Sequence, residues 1–352
     1  MEHHFHDLAL EEDVVKIKNI SDYFSSKLPG NWSNLKLKRF EGGQSNPTYL
    51  VQLGSNNYVL RTKPDGILLP SAHAIDREFK VMLGLGKCGL PVPLPMHFID
   101  DESLIGKPFY IMSFIEGRIF KDPILPALSV KEREEIYKNM AITLAKLHQL
   151  SPVDADLQNI GKPTDFYSRQ IKRWSEQYKL VEMQKDHCMD ALIEWLPQSL
   201  PTDEESVVTH GDFRLENLIF HPTEPRILGI LDWELATLGD YRADLAYNMM
   251  SWYLPQNAFG SFADRDISLS GIPDVNRYLE MYSSARNKDV LKDWDYFVAF
   301  SLFRLASILY GVWRRGIEGN ASSPDAIFRG KLAPVCAQSA FAAMTRHVNR
   351  MS

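Results

Sequence analysis

Residues 207–234 read VVTHGDFRLENLIFHPTEPRILGILDWE, in which Asp212, Asn217 and Asp232 lie close to apolar runs. Asp212 follows a histidine and a glycine, Asn217 comes shortly after it, and Asp232 follows an apolar segment. In phosphoryl transfer, one carboxylate accepts the proton of an attacking hydroxyl, while an amide and a second carboxylate hold the Mg²⁺ that neutralises a triphosphate. We therefore predict Asp212 as a catalytic base, and Asn217 and Asp232 as magnesium ligands.

His210, within this stretch, and Asp244, beyond it, are predicted to support the loop that carries Asp212 rather than to react. His210 is expected to brace the loop through hydrogen bonds. Asp244 is expected to open a helix, where a carboxylate complements the positive end of the helix dipole. It is also placed to brace the loop from behind.

The bulk properties of the 352 residues exclude several classes of protein. A net charge of −6 argues against a general nucleic-acid binder, and three widely spaced cysteines argue against a disulfide framework. The N-terminus is too charged for a signal peptide, and no apolar run approaches the roughly 18 residues of a membrane span. The longest apolar run, 297–313, is interrupted by Arg304 and is predicted to be a core helix. We expect a cytoplasmic protein that binds neither nucleic acid nor membrane.

The pattern of apolar residues predicts an α+β fold with a β-rich part followed by a helical part. Short β-prone runs are predicted at 35–40, 48–53, 58–61, 97–100 and 108–115, with one helix between them at 74–85. From residue 130 onward the pattern is mainly helical, with helices predicted at 131–150, 165–180 and 185–196. We therefore predict an N-terminal lobe over residues 1–115 and a C-terminal lobe over residues 116–352.

The segment 84–89, GLGKCG, matches the dinucleotide-binding pattern G-x-G-x-x-G. That pattern binds pyrophosphate only where a strand precedes it and a helix follows it. Here a predicted helix precedes it and the proline-rich LPVPLP follows. We therefore predict a glycine-rich helix end and no dinucleotide site.

The β-rich part contains a candidate nucleotide site. Glycines in EGGQSN, residues 41–46, let backbone N–H groups approach a phosphate, although an ordinary hairpin turn is the alternative. Arg61 and Lys63 share one face of a predicted strand and compete as the phosphate-binding cation. The run FYIMSFI, residues 109–115, offers backbone groups for an adenine edge, although a plain buried strand is the alternative. The predicted nucleotide-binding residues are Gly42, Gly43, Ser45, Asn46, Arg61, Glu78, Met112, Ser113 and Phe114.

Taken together, these residues resemble the aminoglycoside phosphotransferase and choline kinase family, relatives of the protein kinases. The most specific part is HGDFRLEN followed by ILDWE, in which Trp233 and Glu234 replace the Phe-Gly of protein kinases. The resemblance implies a bilobed, kinase-like fold with a small antiparallel β lobe carrying one main helix and a large helical lobe. It also implies ATP and Mg²⁺ as cofactors. Arg61 takes the place of the nucleotide-binding lysine, with Glu78 as its partner, and Lys63 stays an alternative.

The segment LRTKPDGILLPSAHAIDREFKVM, residues 60–82, resembles the branch of this family that is fused to acyl-CoA dehydrogenases in animals. That resemblance implies a hydroxyacyl-CoA as the acceptor, notably a 4-hydroxyacyl-CoA. This chain itself carries no dehydrogenase domain.

The charge of the C-terminal helices bears on the acceptor. Residues 301–352 contain seven basic and two acidic side chains, interleaved with aromatic residues. A basic, aromatic wall favours an anionic and partly apolar acceptor over a polycationic aminoglycoside. The acceptor-side candidates are Arg304, Tyr310, Trp313 and Arg314. An antibiotic-modifying or other small-alcohol kinase and a catalytically silent nucleotide-binding module are the alternative functions.

Overall fold

A computed structural model describes residues 5–7, 11–27, 32, 34–40, 46–64, 75–290, 292–321 and 324–351. The chain divides into two compact units, Met1–Arg118 with Leu228–Glu234 and Ile119–Ile227 with Leu235–Ser352. Sequence analysis placed the boundary after residue 115 and assigned 228–234 to the helical part. In the structure this short segment belongs to the first unit, where the N–H of Ile230 donates to the carbonyl of Pro91 at 2.9 Å.

The first unit is built on an antiparallel sheet, whose described strands follow the order β1-β2-β3-β4-β6-β5. A two-residue Gly-Ser turn joins β3 and β4, and Gly54 has the positive φ of 58° that such tight hairpins require. The strands are β1 (Phe5–Asp7), β2 (Lys36–Phe40), β3 (Thr48–Leu53), β4 (Asn56–Thr62), β5 (Pro95–Ile99) and β6 (Phe109–Ser113).

Helices α1 (Glu11–Lys27) and α2 (Ile75–Lys87) complete the described part of this unit. Phe24 of α1 packs with Phe109 and Ile111 of β6 in a buried cluster. Tyr110 lies between these two in sequence, points to the other face of the strand, and meets Phe79 of α2 with ring centroids 5.8 Å apart. The two-residue alternation of β6 therefore supplies side chains to both helices. Sequence analysis predicted α2 but missed α1.

The glycine-rich segment 84–89 ends α2, as predicted. The helix runs to Lys87, and Gly89 follows with a φ of 78°. The left-handed conformation just past a helix is the position that glycine favours. The segment is therefore a helix terminus and not the phosphate-binding turn that its letters match.

The second unit is mainly helical. Its described helices are α3 (Val130–Gln149), α4 (Phe166–Val181), α5 (His187–Trp195), α6 (Tyr241–Asn248), α7 (Val275–Arg286), α8 (Trp294–Ile317), α9 (Ala326–Gly330) and α10 (Ala333–Met351). Strand β7 (Ser206–Thr209) pairs antiparallel with β10 (Thr237–Asp240). Strand β8 (Leu218–Phe220) follows the loop that carries Asp212. Strand β9 (Ile227–Ile230) leads towards Asp232, and its residues from Leu228 onward belong to the first unit. These short strands position the polar residues of the 207–234 stretch.

Helix α8 is the core helix of the second unit. Within the described residues it is long and apolar enough to cross a membrane, with a mean hydropathy of 1.5 over 18 residues. Sequence analysis had expected no run of that length. However, 78% of that window is buried inside the protein, which is typical of a core helix. The core helix that was predicted over 297–313 therefore agrees with the buried packing of α8.

Comparison of prediction and structure confirms the α+β fold, with an antiparallel N-terminal sheet and a helical remainder. The predicted helices at 131–150, 165–180 and 185–196 match α3, α4 and α5 within about two residues, the ordinary uncertainty of helix ends. Helix α3 begins with a capping box, in which the Ser129 hydroxyl and the Glu132 carboxylate each bind the other's backbone N–H. This helix start can be predicted from sequence, because a capping box requires particular residue types at fixed spacing.

Candidate active site

Glu78 is the buried centre of a polar cluster in the first unit. It lies on α2 with 2% of its surface exposed. Arg61 on β4 contacts it through Nε, 2.8 Å from Oε2, and donates from its terminal nitrogen to Oε1 at 3.3 Å. Tyr110 donates its hydroxyl to Oε2 at 2.9 Å, and Asn46 donates its amide to Oε1 at 2.8 Å. A buried carboxylate is tolerated only when it is paired in this way.

The protonation of this cluster follows from burial and pairing. Burial raises the pKa of Glu78, whereas the Arg61 guanidinium and the Tyr110 hydroxyl oppose that change. Burial lowers the pKa of Arg61, but the carboxylates of Glu78 and Asp232 outweigh it, so that this pKa lies above its ordinary value. Arg61 is therefore charged throughout the physiological pH range.

Arg61 is the cation that the structure brings to Glu78. The predicted alternative, Lys63, lies beyond the end of β4 and is partly exposed. Arg61 also donates to Oδ1 of Asp232 at 3.0 Å, so that one guanidinium connects two carboxylates of the first unit. The planar fork of arginine suits such two-sided contact better than the single ammonium of lysine.

Asp232 has a backbone conformation that is unusual for its residue type. Its φ is 66°, in the left-handed region that non-glycine residues seldom adopt. The next residue, Trp233, is buried and donates its indole N–H to the carbonyl of Ile230 at 3.0 Å, which holds the turn. Strained backbone of this kind persists where the surroundings enforce it and is concentrated at functional sites.

Three carboxylates of the first unit form a group that fits a divalent cation. One oxygen each from Glu78, Asp232 and Glu234 lies within 4.8 Å of the others. Carboxylate oxygens are the ligands that Mg²⁺ prefers in proteins. Sequence analysis predicted Asp232 as a metal ligand and overlooked Glu234, although its position two residues later offered the same kind of oxygen.

In the second unit, Asp212 and Asn217 are in direct contact. The Asn217 amide donates to Oδ2 of Asp212 at 2.9 Å and to its backbone carbonyl at 2.8 Å. The guanidinium Nε of Arg214 lies 3.2 Å from Oδ1 of Asp212. Burial raises the pKa of Tyr247, and the Asp212 carboxylate raises it further. The carboxylate is therefore fixed in orientation from several sides.

The loop that carries Asp212 requires a glycine at position 211. Gly211 has a φ of 84°, and a β-carbon there would lie 2.9 Å from the carbonyl oxygen of Leu235. Both the backbone angle and the close approach therefore exclude a side chain. The glycine of the HGD sequence is explained by this contact.

Backbone N–H groups of the same loop are held by Asp244. This buried carboxylate accepts the N–H of His210 at 2.7 Å and that of Gly211 at 2.8 Å. The ring Nδ1 of His210 in turn accepts the N–H of Asp212 at 3.1 Å. The structure therefore places both residues where the predicted bracing roles need them. Asp244 lies within the first turns of α6, which begins after the cap residue Asp240.

Sequence analysis missed the residues behind Asp244. His148 on α3 is completely buried and lies 3.1 Å from Oδ2 of Asp244 through Nε2. Its Nδ1 lies 2.6 Å from the hydroxyl of Tyr282 on α7. No signal in the sequence pointed to His148, because a histidine on the apolar face of a helix is usually an ordinary core residue. Only the three-dimensional pairing with Asp244 distinguishes it.

Several predicted nucleotide-binding residues have other partners or lie outside the described residues. Gly42, Gly43 and Ser45 belong to the latter group. The side-chain amide of Asn46 donates to Glu78, and the predicted nucleotide contact of this residue stays a prediction. Ser113 was predicted to contact adenine, but its N–H donates to the Leu94 carbonyl at 2.9 Å and its hydroxyl accepts the Leu94 N–H at 2.9 Å. For Met112 in β6 and Phe114 just after it, the adenine contact stays a prediction.

Two of the predicted acceptor-side residues are engaged in the fold. Tyr310 is buried and donates its hydroxyl to Asp186 at 2.6 Å, while its ring stacks on Trp313. Arg314 is paired with Glu318 one turn away. These contacts correct the prediction for Tyr310 and Arg314, because their polar groups already have partners within the protein. Arg304 differs, since its guanidinium lies over the ring of Tyr247 at 4.9 Å.

Comparison with known proteins places these features in a family. The sequence profile of the phosphotransferase enzyme family matches residues 36–279. Acyl-CoA dehydrogenase family member 10 of Mus musculus is 44% identical over 309 residues, which are 87% of this chain and 29% of that protein. Family member 11 of Homo sapiens is 38% identical over 345 residues, covering 95% of this chain and 44% of that protein. The chain therefore spans less than half the length of these relatives.

Solved structures agree with the fold. A Ralstonia eutropha protein, provisionally classed as an aminoglycoside phosphotransferase, is 38% identical with a TM-score of 0.85, and the match covers 94% of this chain and 98% of that one. Choline kinase from Cryptosporidium parvum matches with a TM-score of 0.59 at 14% identity, over 95% of this chain and 96% of that one. A thermostable mutant of aminoglycoside phosphotransferase APH(4)-Ia, complexed with AMP-PNP and hygromycin B, matches with a TM-score of 0.60 at 14% identity, covering 92% and 98%. The last two share the fold.

Proposed function

The chain belongs to the phosphotransferase enzyme family, and from that premise we propose that it uses ATP and Mg²⁺ to phosphorylate the hydroxyl of a hydroxyacyl-CoA. The observation that carries the donor side is the position of Arg61, which contacts both Glu78 and Asp232. A cation held by a buried carboxylate beside a metal-binding carboxylate is how kinases hold a triphosphate. We assign Arg61 to the phosphates of the nucleotide.

Asp212 is the proposed base. It orients the acceptor hydroxyl and takes its proton, while the acceptor oxygen forms a bond to the γ-phosphorus. The bond from that phosphorus to the bridging oxygen breaks, and ADP leaves with the electron pair. The Asn217 amide at 2.9 Å fixes the carboxylate in orientation, and the Arg214 guanidinium lies 3.2 Å from its other oxygen. Most of the rate gain is expected from positioning and electrostatics.

The donor set fits the proposed cofactors. Asn217 and Asp232 are the proposed magnesium ligands, and Glu234 adds a carboxylate oxygen near Asp232. When bound, Mg²⁺ supplies positive charge that neutralises the phosphate oxygens. Oxygen donors of this kind suit Mg²⁺ and exclude soft metals that prefer thiolate ligands. The adenine ring is assigned to Met112 and Phe114, and the backbone at Gly42, Gly43 and Ser45 is assigned to the phosphates.

Support for the acceptor comes from the relatives and from charge. Two relatives with 44% and 38% identity are named acyl-CoA dehydrogenase family members, and this chain matches a part of each. A kinase beside an enzyme of acyl-CoA chemistry would act on an acyl-CoA with a hydroxyl group. The surplus of basic side chains over residues 301–352 also favours an anionic acceptor.

An aminoglycoside kinase is the second candidate, because the Ralstonia eutropha protein with 38% identity is provisionally classed that way. Aminoglycosides are polycations and need carboxylates in their binding pocket. The half-buried Arg304, which lies against the ring of Tyr247, opposes that requirement.

An ATP-consumption screen tests the proposal with four acceptor classes: hydroxyacyl-CoAs, free hydroxy acids, choline-like alcohols and aminoglycosides. We expect the highest kcat/KM with a 4-hydroxyacyl-CoA. A preference for an aminoglycoside would overturn the acceptor assignment and leave the donor chemistry standing. Nucleotide binding without turnover of any acceptor would instead support a silent module.

A further inference from the structure

One stripe of helix α8 is accessible although the helix is a core element. From Trp294 to Gly311 every residue is buried except Arg304 and Ile308. From Val312 to Ile317 every residue is at least partly accessible, and Val312 and Arg315 continue the line of Arg304 and Ile308. Spacings of four, four and three residues place these four side chains on one face of the helix. At about 1.5 Å per residue, the stripe is about 16 Å long. We call these four residues the α8 stripe.

Helix α4 flanks the stripe. The guanidinium of Arg304 lies 5.7 Å from the ring centroid of Trp174 on α4, and on its other side 4.9 Å from that of Tyr247. Further along, a β-carbon at Gly311 would lie 3.3 Å from the amide nitrogen of Gln177 and 3.5 Å from a guanidinium nitrogen of Arg315. The glycine therefore keeps the space between the two helices free of a side chain.

The two arginines at the ends of the stripe lack carboxylate partners within the described part of the chain. Their neighbours do not: Arg314 pairs with Glu318, and Arg346 pairs with Asp295 at 2.9 Å. Arg304 is half-buried and lies beside two aromatic rings. A half-buried charge without a counter-ion is unfavourable, so an anion that reaches it is bound with a larger gain than at a paired arginine.

The stripe begins beside the proposed base. Arg304 lies over the ring of Tyr247. Asn248, the next residue on α6, donates its amide to the backbone carbonyl of Phe213 at 3.0 Å, and Phe213 directly follows Asp212. Arg304 therefore lies close to the loop that carries Asp212, and Arg315 marks the far end. Between them the stripe offers the apolar Ile308 and Val312. A cation, an apolar segment and a second cation in a row match an elongated acceptor whose anionic group is remote from its hydroxyl.

We propose that the α8 stripe determines acceptor specificity, with Arg315 binding the phosphates of the CoA carrier while the acyl hydroxyl lies at Asp212. This inference rests on the proposed function, because it assumes that Asp212 marks the hydroxyl end. It adds that the enzyme distinguishes a CoA thioester from the free hydroxy acid through a contact far from the reacting atoms. Remote contacts of this kind act mainly through KM unless their binding energy is used in the transition state.

The adjacent residues Arg315 and Arg314 form a matched pair for the test, because both are exposed and only Arg314 has a carboxylate partner. The acceptors are a 4-hydroxyacyl-CoA and the N-acetylcysteamine thioester of the same acid, which lacks the phosphates. Loss of one charge-assisted hydrogen bond weakens binding about tenfold or more. We expect R315A to raise KM about tenfold for the CoA thioester and to leave kinetics with the truncated thioester unchanged. R314A should change neither.

Direct binding separates this inference from the proposed function. A saturated acyl-CoA has no hydroxyl and cannot be phosphorylated, so calorimetric titration with it measures the stripe alone. Weaker binding to R315A than to R314A supports the stripe even if no acceptor is ever turned over, which would refute only the proposed function. Equal binding to wild type, R315A and R314A, or equal KM values for the CoA thioester, overturns the stripe whatever the activity. Unchanged melting temperatures of both variants exclude a folding defect.

Discussion

Arg61 donates from Nη2 to Asp232 at 3.0 Å and to Glu78 at 3.3 Å, while its Nε lies 2.8 Å from Glu78, so that one side chain contacts two carboxylates of the first unit. Glu78 is almost completely buried, and Asp232 is about one third exposed. The inner contact is therefore structural, whereas the outer one lies at a carboxylate that solvent and ligands reach. Loss of the contact with Glu78 is expected to lower stability, whereas loss of the contact with Asp232 is expected to affect ligand binding.

Two replacements of Arg61 distinguish its effect on stability from its effect on ATP binding. R61A leaves the buried Glu78 without its cation and is expected to lower the free energy of unfolding by about 3–5 kcal/mol. R61K keeps the charge and loses the fork, so it should fold with a smaller loss and still show a raised KM for ATP. Denaturant unfolding and ATP titration measure the two effects. Arg277, an exposed residue on α7, provides the control variant R277A, which should change neither quantity.

Removal of the Asp232 charge tests its assignment to the metal. Asparagine tolerates the left-handed backbone that this position adopts, so D232N should fold normally. It loses the charge that attracts Mg²⁺, and the Mg²⁺ concentration for half-maximal activity should rise at least tenfold. A magnesium titration of wild type and D232N gives the answer. Unchanged magnesium dependence in a folded variant would remove Asp232 from the metal site.

Gly211 and Gly106 form a matched pair for the loop. Both have a positive φ, 84° and 81°, but a β-carbon at Gly211 would meet the Leu235 carbonyl whereas one at Gly106 meets nothing within 4 Å. G106A should cost only the backbone strain, about 1–2 kcal/mol. G211A should cost more and also lower kcat, since the loop that carries Asp212 must shift. Equal losses of stability with unchanged kcat would show that the close approach has no role.

His148 gives a pH dependence whose sign follows from its environment. Burial lowers the pKa of His148, although Asp244 opposes this, so the folded protein holds a neutral ring. In the unfolded chain a histidine has a pKa of about 6.5. Below that pH the unfolded state binds a proton that the folded state does not, so the free energy of unfolding falls as the pH falls.

Urea unfolding at pH 7.5 and pH 5.5 measures this effect in wild type and in H148Q. The variant should be less stable at pH 7.5, because Asp244 loses a partner, yet should lose less stability on acidification than wild type. The other histidines contribute equally to both proteins, so the difference belongs to His148. An identical loss on acidification would show that His148 does not titrate as its burial requires.

One strand and three polar residues show which features of this protein follow from local sequence. Strand β3 was predicted with its observed bounds because a run of β-prone residues ends at a Gly-Ser turn. Asp212, Asn217 and Asp232 were singled out because polar residues interrupt apolar runs. The contact between Asp212 and Asn217 is consistent with that selection, while their catalytic roles stay predictions.

Other features depend on distances between segments far apart in sequence. Asn46 was assigned to a phosphate because it adjoins a glycine turn, yet its amide binds Glu78. Tyr310 and Arg314 were selected for their type, but their polar groups are used by Asp186 and Glu318. Local pattern reports which residues are polar, and only the fold decides which polar groups are already paired. The same limit hid His148.

The rate at which Asp212→Ala phosphorylates a 4-hydroxyacyl-CoA, relative to wild type, tests the central claim most directly. Mass spectrometry of the acceptor after incubation with ATP and Mg²⁺ counts the added phosphate. We predict a phosphorylated thioester with wild type and a loss of at least about a hundredfold in kcat with the variant, as expected for removal of a general base. A folded Asp212→Ala protein that phosphorylates the acceptor at the wild-type rate would contradict the account.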